Sequence, residues 1–246
     1  MSNPRKRSAE TAQPPKKTKK RKTKSQHNDE ALDTELGLNT LFSRMDNQLL
    51  ADHLAQKTTR FGTDLSPVEL ADLTIPASSI QDTTTWQKDR TLDNLPSFLE
   101  SFAKDPETLK KTSKKNGAPH TLIVAGAGLR AADIVRAVRQ FSSKDNAVAK
   151  LFAKHIKIDE QITFLSNRKT GIGVGTPARL MELIENGALS LEHLQRLVVD
   201  ASHIDQKKRG VMDMKDTMMP LARFLARDEF KSRYDDPKKP LALLYY

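Results

Sequence analysis

The residues best suited to chemistry in this sequence stand directly after two short apolar segments. The segment 172–175 alternates β-branched residues with glycine and is followed by Thr176, Pro177 and Arg179. Thr176 can cap a helix whose first turn tolerates proline, and the N-terminus of a helix attracts an anion such as phosphate. A second apolar run ends in Asp200, where a buried parallel strand often presents a side chain at its carboxyl end. These segments predict an anion-binding helix start and an acid at the edge of a sheet.

A glycine-containing turn is a further candidate for a binding site. Gly126, Gly128 and Ala131 follow a strand candidate and open a helix candidate, as in the G-x-G-x-x-A pattern of dinucleotide-binding folds. Such a turn could hold a nucleotide or a methyl-donor cofactor. However, Leu165 and Ser166 stand at the end of the next strand candidate, where a ribose-binding acid is expected. A tight turn is the simpler interpretation, and no cofactor is predicted.

Metal chemistry and nucleophilic catalysis have little support in the sequence. The chain contains no cysteine, which excludes a disulfide framework and any zinc site built on thiolates. His203 is close to Asp205, but no nucleophile stands beside them, so we interpret this stretch as a solvent-facing loop. No pair of histidines has the spacing of metal ligands. The six histidines are His27, His53, His120, His155, His193 and His203.

Alternating strand and helix patterns in the second half of the chain must position these residues. Such alternation indicates a parallel sheet with helices on its faces. The predicted strands are 121–125, 161–165, 172–174, 196–200 and 241–245. The predicted helices are 129–141, 145–155, 177–186, 191–195 and 211–226.

The same segments resemble a known family of enzymes. The run Val174-Gly-Thr-Pro-Ala-Arg-Leu180, followed about twenty residues later by Leu197-Val-Val-Asp200, resembles the first RecA-like domain of DEAD-box RNA helicases. The resemblance covers about residues 118–246. It implies an α/β fold of the P-loop NTPase type with a single parallel sheet. It also implies RNA phosphate contacts at Thr176 and Arg179, with Arg130 the nearest candidate for a further contact.

The residues required for ATP hydrolysis in that family are missing. A P-loop is expected about forty residues before the 121–125 strand, but no Gly-Lys-Ser or Gly-Lys-Thr occurs in the chain. Ala201 occupies the place of the glutamate that positions the attacking water, and His203 replaces the last aspartate of the Asp-Glu-Ala-Asp box. No second RecA-like domain follows Tyr246 in this sequence. We therefore predict no catalytic residues and no enzymatic activity.

The charge of the chain is concentrated at its N-terminus. Residues 1–24 contain ten Lys or Arg residues against Glu10 alone, which accounts for nine of the ten net positive charges. The composition of residues 1–28 predicts a disordered basic tail with two clusters that are typical of a nuclear-localisation signal. Such a tail also attracts RNA phosphates through counterion release. The residues that we assign to this role are Arg5, Lys6, Arg7, Lys16, Lys17, Lys19, Lys20, Arg21 and Lys22.

The middle section, residues 29–117, contains short apolar anchors in a polar chain. We predict helices at about 38–57, 66–72 and 96–104, within a largely extended arm. Trp86, Leu95 and Phe98 are candidate anchors for a partner. The alternative, equally weighted, is that these elements pack on the chain's own α/β body. No apolar run is long enough to span a bilayer.

A basic tail, an arm with apolar anchors and a degenerate helicase-like domain (residues 118–246) occur together in one family. Phrases such as Leu92-Asp-Asn-Leu-Pro-Ser-Phe-Leu-Glu-Ser-Phe102 are similar to the Cms-type proteins of the small-subunit processome, the 90S preribosome. The resemblance implies a nucleolar assembly factor that binds pre-ribosomal RNA and other assembly factors within a large ribonucleoprotein particle, with no membrane and no small-molecule substrate. The alternatives are a cofactor-dependent enzyme at the Gly126–Ala131 turn and a regulator of a true helicase.

Overall fold

The computed structural model describes residue 1 and residues 31–246, and the predicted basic tail lies outside the described residues, except for Met1. Residues 31–246 form one compact unit. The strands are β1 (Leu32–Asp33), β2 (Leu38–Asn39), β3 (Thr121–Val124), β4 (Ala147–Leu151), β5 (Thr170–Gly175), β6 (Arg196–Val199) and β7 (Ala242–Tyr245). The helices are α1 (Asn47–Phe61), α2 (Pro67–Asp72), α3 (Leu95–Ser101), α4 (Gly128–Ala137), α5 (Ile158–Asn167), α6 (Pro177–Glu185), α7 (Lys215–Leu225) and α8 (Asp228–Tyr234).

The centre of this unit is a five-stranded sheet in the order β4-β5-β3-β6-β7. All four neighbouring pairs are parallel, and the carboxyl ends of the strands therefore meet at one edge. Every residue of β3, β5 and β6 is buried. Strands that are buried along their whole length are expected where helices cover both faces of a parallel sheet.

Helices do cover both faces, as the sequence predicts. Alternate strand residues such as Leu122, Leu197 and Leu243 pack in one apolar cluster with α1, α5, α6, α7 and α8. The intervening residues, such as Ile123 and Val198, pack in a second cluster with α3 and α4. The predicted fold class, a single parallel α/β sheet with helices on both faces, is confirmed.

The sequence prediction is wrong for two adjacent elements: a predicted helix contains a strand, and the predicted strand after it lies in a helix. The predicted helix 145–155 contains strand β4, in which buried Ala149 and Leu151 alternate with exposed Lys150. The predicted strand 161–165 lies in helix α5, which buries Gln161 and Leu165 one turn apart. Alanine, lysine and leucine favour helices, but pairing with β5 places this segment in the sheet, a case of tertiary structure overriding local propensity.

The predicted elements before residue 118 need smaller corrections. Helix α2 begins after Ser66 with the predicted capping box, in which Ser66 and Glu69 cap one another. Helix α1 begins only at Asn47. Its N-cap residue is Asp46, whose side chain accepts a hydrogen bond from Leu49 N at 2.8 Å. The residues before it form the short antiparallel pair β1–β2 and a 3-10 turn, and Gly37 in the connection between β1 and β2 adopts a positive φ of 66°. The predicted helix 191–195 is a single turn, in which Leu194 N donates to Leu191 O at 3.1 Å.

The short elements of the middle section pack on the α/β body. Residues of α1 lie in the apolar cluster that contains α7, and Leu95 and Phe98 of α3 lie in the cluster on the opposite face. This is the second of the two arrangements that the sequence left open. Among the described residues, no helix is long and apolar enough to cross a membrane.

Candidate functional site

The carboxyl edge of the sheet brings several predicted site residues into one region. Arg130 lies in α4, which follows β3, and Thr176 lies between β5 and α6. Asp200 directly follows β6, and its backbone N–H donates to Val124 O at 2.9 Å. Since β3 is the sheet neighbour of both β5 and β6, the loops after these strands are adjacent.

Arg130 and Asp200 form a buried bidentate ion pair. Arg130 Nε lies 2.8 Å from Asp200 Oδ2, and Arg130 Nη2 lies 2.9 Å from Asp200 Oδ1. The side chains are 11% and 3% exposed. Burial alone would lower the pKa of Arg130, but the hydrogen bonds and charge of Asp200 outweigh burial and raise it. The guanidinium predicted to contact RNA is therefore committed to the one acid that remains from the box.

Arg179 is also engaged within the chain. Its Nη1 donates to Gln161 Oε1 at 2.7 Å and to Ile156 O at 3.2 Å, and its Nε lies 2.8 Å from Glu182 Oε2. Its side chain is 11% exposed. Arg179 thus links the start of α6 to α5. Thr176 is partly exposed, and its hydroxyl makes no hydrogen bond within the described part of the chain.

The glycine-containing turn after β3 is filled by neighbouring side chains. A Cβ at Gly126 would lie 3.2 Å from Val211 Cβ, and one at Gly128 would lie 3.2 Å from Lys154 Cβ. Both contacts are tighter than ordinary van der Waals contact, so a side chain at either glycine would have to push its neighbour by a few tenths of an ångström. This packing supports the interpretation of the segment as a tight turn rather than a cofactor cradle.

Backbone hydrogen bonds fix the residues after Asp200, which stand in the place of the Asp-Glu-Ala-Asp box. Ala201 is 1% exposed, and the backbone N–H groups of Ala201 and Ser202 donate to Tyr246 O at 2.7 and 2.8 Å. His203 forms an isolated bridge with Leu38 of β2. His203 is partly buried rather than solvent-facing, and burial followed by the charge of Arg130 lowers its pKa. A buried methyl group at residue 201 leaves this position without a carboxylate to orient water.

The segment about forty residues before β3, where the resemblance placed a P-loop, instead covers the outer edge of β7. Ile80 forms a parallel bridge with Leu243, and Gln81 N donates to Leu243 O at 2.8 Å. Buried Arg90 donates to Tyr245 O and, at 2.9 Å, to Thr83 Oγ1. Residues 80–90 contain no glycine. The segment therefore satisfies an exposed strand edge rather than cradling phosphate.

A cavity of about 300 Å³ lies between this segment and the β1–β2 region. Its lining includes Arg44, Lys88 and Trp86 together with Ser202. Trp86 Nε1 and Ser202 Oγ are buried and have no hydrogen-bond partner among the described residues. The wall of the cavity therefore combines two cationic side chains and buried donors without a partner with one acid, Asp89.

The three predicted anchors differ in how deeply their side chains are buried in the chain's own core. Leu95 and Phe98 are 1% and 0% exposed, so neither is available to a partner, which corrects their assignment as anchors. Trp86 is partly exposed and packs edge-on against Phe98, with ring centroids 5.7 Å apart. The sequence pattern marked these residues as apolar anchors but could not say which surface they cover.

One buried histidine at the opposite end of the sheet has a strongly shifted pKa. His120 precedes β3 and is 8% exposed, with Nδ1 2.8 Å from Thr121 Oγ1 and Nε2 unpartnered within the described residues. Burial, followed by the nearby charge of Arg196, lowers the pKa of His120 to about 4. The ring is therefore neutral in the folded protein near neutral pH.

Replacing His120 with glutamine is expected to weaken the acid sensitivity of folding. A histidine in the unfolded chain titrates near pH 6.5, so between about pH 6.5 and pH 4 the unfolded state binds more protons and stability falls as the pH is lowered. His120→Gln should remove about 2–3 kcal/mol of this fall. Urea unfolding at about pH 7 and about pH 4 measures the difference. Exposed His193→Gln is the control, and an equal fall in wild type and His120→Gln would contradict the assignment.

Comparison with known proteins assigns this chain to a family. The model of the CMS1 family, described as a U3-containing 90S pre-ribosomal complex subunit, matches residues 1–246. The chain belongs to the CMS1 family. The description supports a role in ribosome biogenesis, and it names a complex subunit rather than an enzyme. Within the described residues, no group of three or more histidine or acidic side chains could hold a metal ion.

Two curated relatives show how far the similarity extends. Protein CMS1 of Chaetomium thermophilum is 62% identical over 244 residues, which are 99% of this chain and 97% of that protein. Protein cms1 of Schizosaccharomyces pombe is 33% identical over 176 residues, which are 72% of this chain and 62% of that protein. The chain thus spans nearly all of the first relative and about three fifths of the second.

Among solved structures, a DEAD box protein from Methanococcus jannaschii is similar to this chain. The similarity covers 64% of this chain and 37% of that protein, with 18% sequence identity and a TM-score of 0.38.

Proposed function

We propose that this CMS1-family protein is a non-enzymatic scaffold of the 90S preribosome that binds protein and RNA during 18S rRNA maturation. The observation that carries the proposal is the family match over the whole chain, residues 1–246. The structure adds the reason for a scaffold. The segment 80–90 stands where the resemblance leads us to expect a phosphate-binding loop, but Ile80 and Gln81 pair with a strand edge, and Asp200 is neutralised by Arg130. A pseudo-helicase of this kind keeps the fold without the means to hydrolyse ATP.

RNA contact in this proposal depends on the tail and on free donors at the carboxyl edge of the sheet. Arg130 and Arg179 have their donors engaged within the chain, which lowers their value as phosphate ligands. Thr176 Oγ1 and the cavity lined by Arg44 and Lys88 remain accessible at this edge. The basic residues between Arg5 and Lys22 supply most of the long-range attraction, since residues 25–246 carry a net charge of only about +1.

Nuclear and nucleolar localisation is part of the same proposal. Its support is the pair of basic clusters in residues 1–24 together with the family's description as part of a pre-ribosomal complex. Both clusters lie outside the described residues, so their role stands on sequence alone.

Deleting residues 1–24 is expected to mislocalise the protein and to flatten the salt dependence of its RNA binding. The deletion removes ten cationic side chains, and each phosphate neutralised on single-stranded RNA contributes about 0.7 to the slope of log K against log salt. The slope should fall by up to about seven. Fluorescence microscopy and RNA-binding isotherms at several salt concentrations measure the two effects. The control variant replaces the same ten residues with glutamine, and unchanged localisation and slope in both variants would contradict the role of the tail.

A further inference from the structure

Arg196 is a buried cation without a counter-charge. It is the first residue of β6, at the amino end of the sheet, and is 5% exposed. Its Nε and Nη1 have no partner among the described residues, and its Nη2 reaches only Gln195 Oε1 at 3.5 Å. Burial lowers the pKa of the guanidinium. An unpaired buried charge is strongly destabilising, so a partner that supplies the missing negative charge would be bound with substantial gain.

Arg196 lines a cavity of about 720 Å³, which we call the Arg196 groove. The groove lies at the amino ends of β6 and β7, the opposite end of the sheet from Asp200 and Thr176. Much of its wall is apolar. The apolar and aromatic residues of this wall include Ile80, Phe102, Leu194, Tyr234 and Leu241.

Cations dominate the remaining wall of the groove. Lys104, Lys238 and Lys239 line it, and none of them has a carboxylate within 4.0 Å in the described part of the chain. Arg233 also lines it and donates to backbone carbonyls, including Leu191 O at 3.2 Å.

The two acidic residues that line the groove already form ion pairs with lysines that do not line it. Glu192 Oε2 lies 2.8 Å from Lys115 Nζ, and Asp105 Oδ2 lies 4.0 Å from Lys111 Nζ. Neither acid therefore neutralises Arg196. The pKa of His120 is lowered to about 4 by burial and by the charge of Arg196, so this histidine is neutral near pH 7 and provides no counter-charge.

We propose that the Arg196 groove binds an acidic and apolar peptide segment of a partner protein, with one carboxylate paired to Arg196. A carboxylate can accept two parallel hydrogen bonds from Nε and Nη2 of a guanidinium, and in Arg196 the Nε has no partner while Nη2 has only the 3.5 Å contact with Gln195 Oε1. The apolar wall accepts the side chains that flank the acid, and the lysines attract a segment of net negative charge. The apolar wall favours a peptide over an RNA strand, because ribose and phosphate have no apolar side chains to bury against it.

This inference deepens the proposed scaffold function and rests on it for the nature of the partner. Wild-type protein is used to select binders from a displayed random-peptide library, and the affinity of selected peptides is measured by fluorescence anisotropy. We expect them to carry Asp or Glu beside apolar residues and to lose affinity for Arg196→Met by about tenfold or more. Exposed Arg139→Met, which keeps the groove intact, should bind them as wild type does.

Two further measurements make the outcome decisive. Arg196→Met should raise the urea midpoint of unfolding, since it removes an unpaired buried charge. If Arg196→Met fails to fold, the double charge reversal Lys238→Glu/Lys239→Glu replaces it in the test and should lower the affinity of the selected peptides. Selected peptides without acids, or peptides that bind Arg196→Met equally well, would overturn the proposal. Displacement of the peptides by oligouridylate RNA or inorganic phosphate would also overturn it. The selection needs no preribosomal particle, so its failure leaves the scaffold function to be judged separately.

Discussion

Replacing Arg130 with methionine is expected to lower the free energy of unfolding by about 3–5 kcal/mol, the range typical of a buried pair that loses one partner. Methionine keeps much of the apolar volume but leaves the Asp200 carboxylate, 3% exposed, without its bidentate partner. The cost arises from the desolvated charge that remains rather than from the contact that is lost. Urea denaturation followed by circular dichroism measures the change.

A double-mutant cycle separates this pair from a phosphate-binding role of Arg130. Arg130→Met/Asp200→Leu removes both charges and should recover much of the lost stability, so the two single changes should be strongly non-additive. Arg136→Met breaks an exposed pair with Asp133 on the same helix and should change stability by less than about 1 kcal/mol. Additive single effects, or an Arg130→Met protein of unchanged stability with weakened RNA binding, would show that Arg130 serves RNA rather than Asp200.

Replacing Phe98 with alanine is expected to lower the free energy of unfolding by about 3–5 kcal/mol through loss of apolar contacts and formation of a cavity. Phe98 is fully buried, and its ring centroid lies 4.6 Å from that of Tyr246, 4.8 Å from that of Phe102 and 5.7 Å from that of Trp86. Trp86 is the sole tryptophan and therefore reports on this cluster by its fluorescence. The unfolding midpoint should shift in the fluorescence and circular dichroism signals together.

The controls for Phe98 distinguish an internal contact from a contact with a partner. Phe98→Leu retains most of the apolar volume and should cost about 1.5 kcal/mol or less. Leu129→Ala truncates a side chain that is 63% exposed and should change stability by less than about 0.5 kcal/mol. If Phe98→Ala kept its stability in isolation but no longer associated with a partner, the interpretation of α3 as part of the chain's own core would be wrong.

The elements that sequence alone predicted well are those whose local and global signals agree. Strand β6 ends in the apolar run Leu197–Val199, and α6 begins with the proline and apolar spacing that the sequence showed. The types of β4 and α5 were predicted wrongly. In β4, Lys150 and its neighbours favour a helix locally, but pairing with β5 makes this segment a strand. Edge strands depend on pairing that the sequence of the strand does not contain.

The candidate site could be predicted residue by residue but not as an arrangement. Arg130 and Asp200 were both identified, but their pairing depends on the adjacency of β3 and β6, which a strand list does not fix. Arg196 carried no motif and was recognised only as the start of a strand. Its lack of a partner becomes visible only when the surrounding side chains are in place.

The measurement that tests the central claim most directly is sedimentation of the tagged full-length protein from cell lysate through a sucrose gradient, with and without RNase. Blotting locates the protein, and sequencing identifies the RNA in the same fractions. We expect co-sedimentation with a large particle that contains precursor ribosomal RNA, and release of the protein after RNase treatment. A peak confined to the position of the free monomer in both gradients would contradict membership of the particle and, with it, the scaffold function.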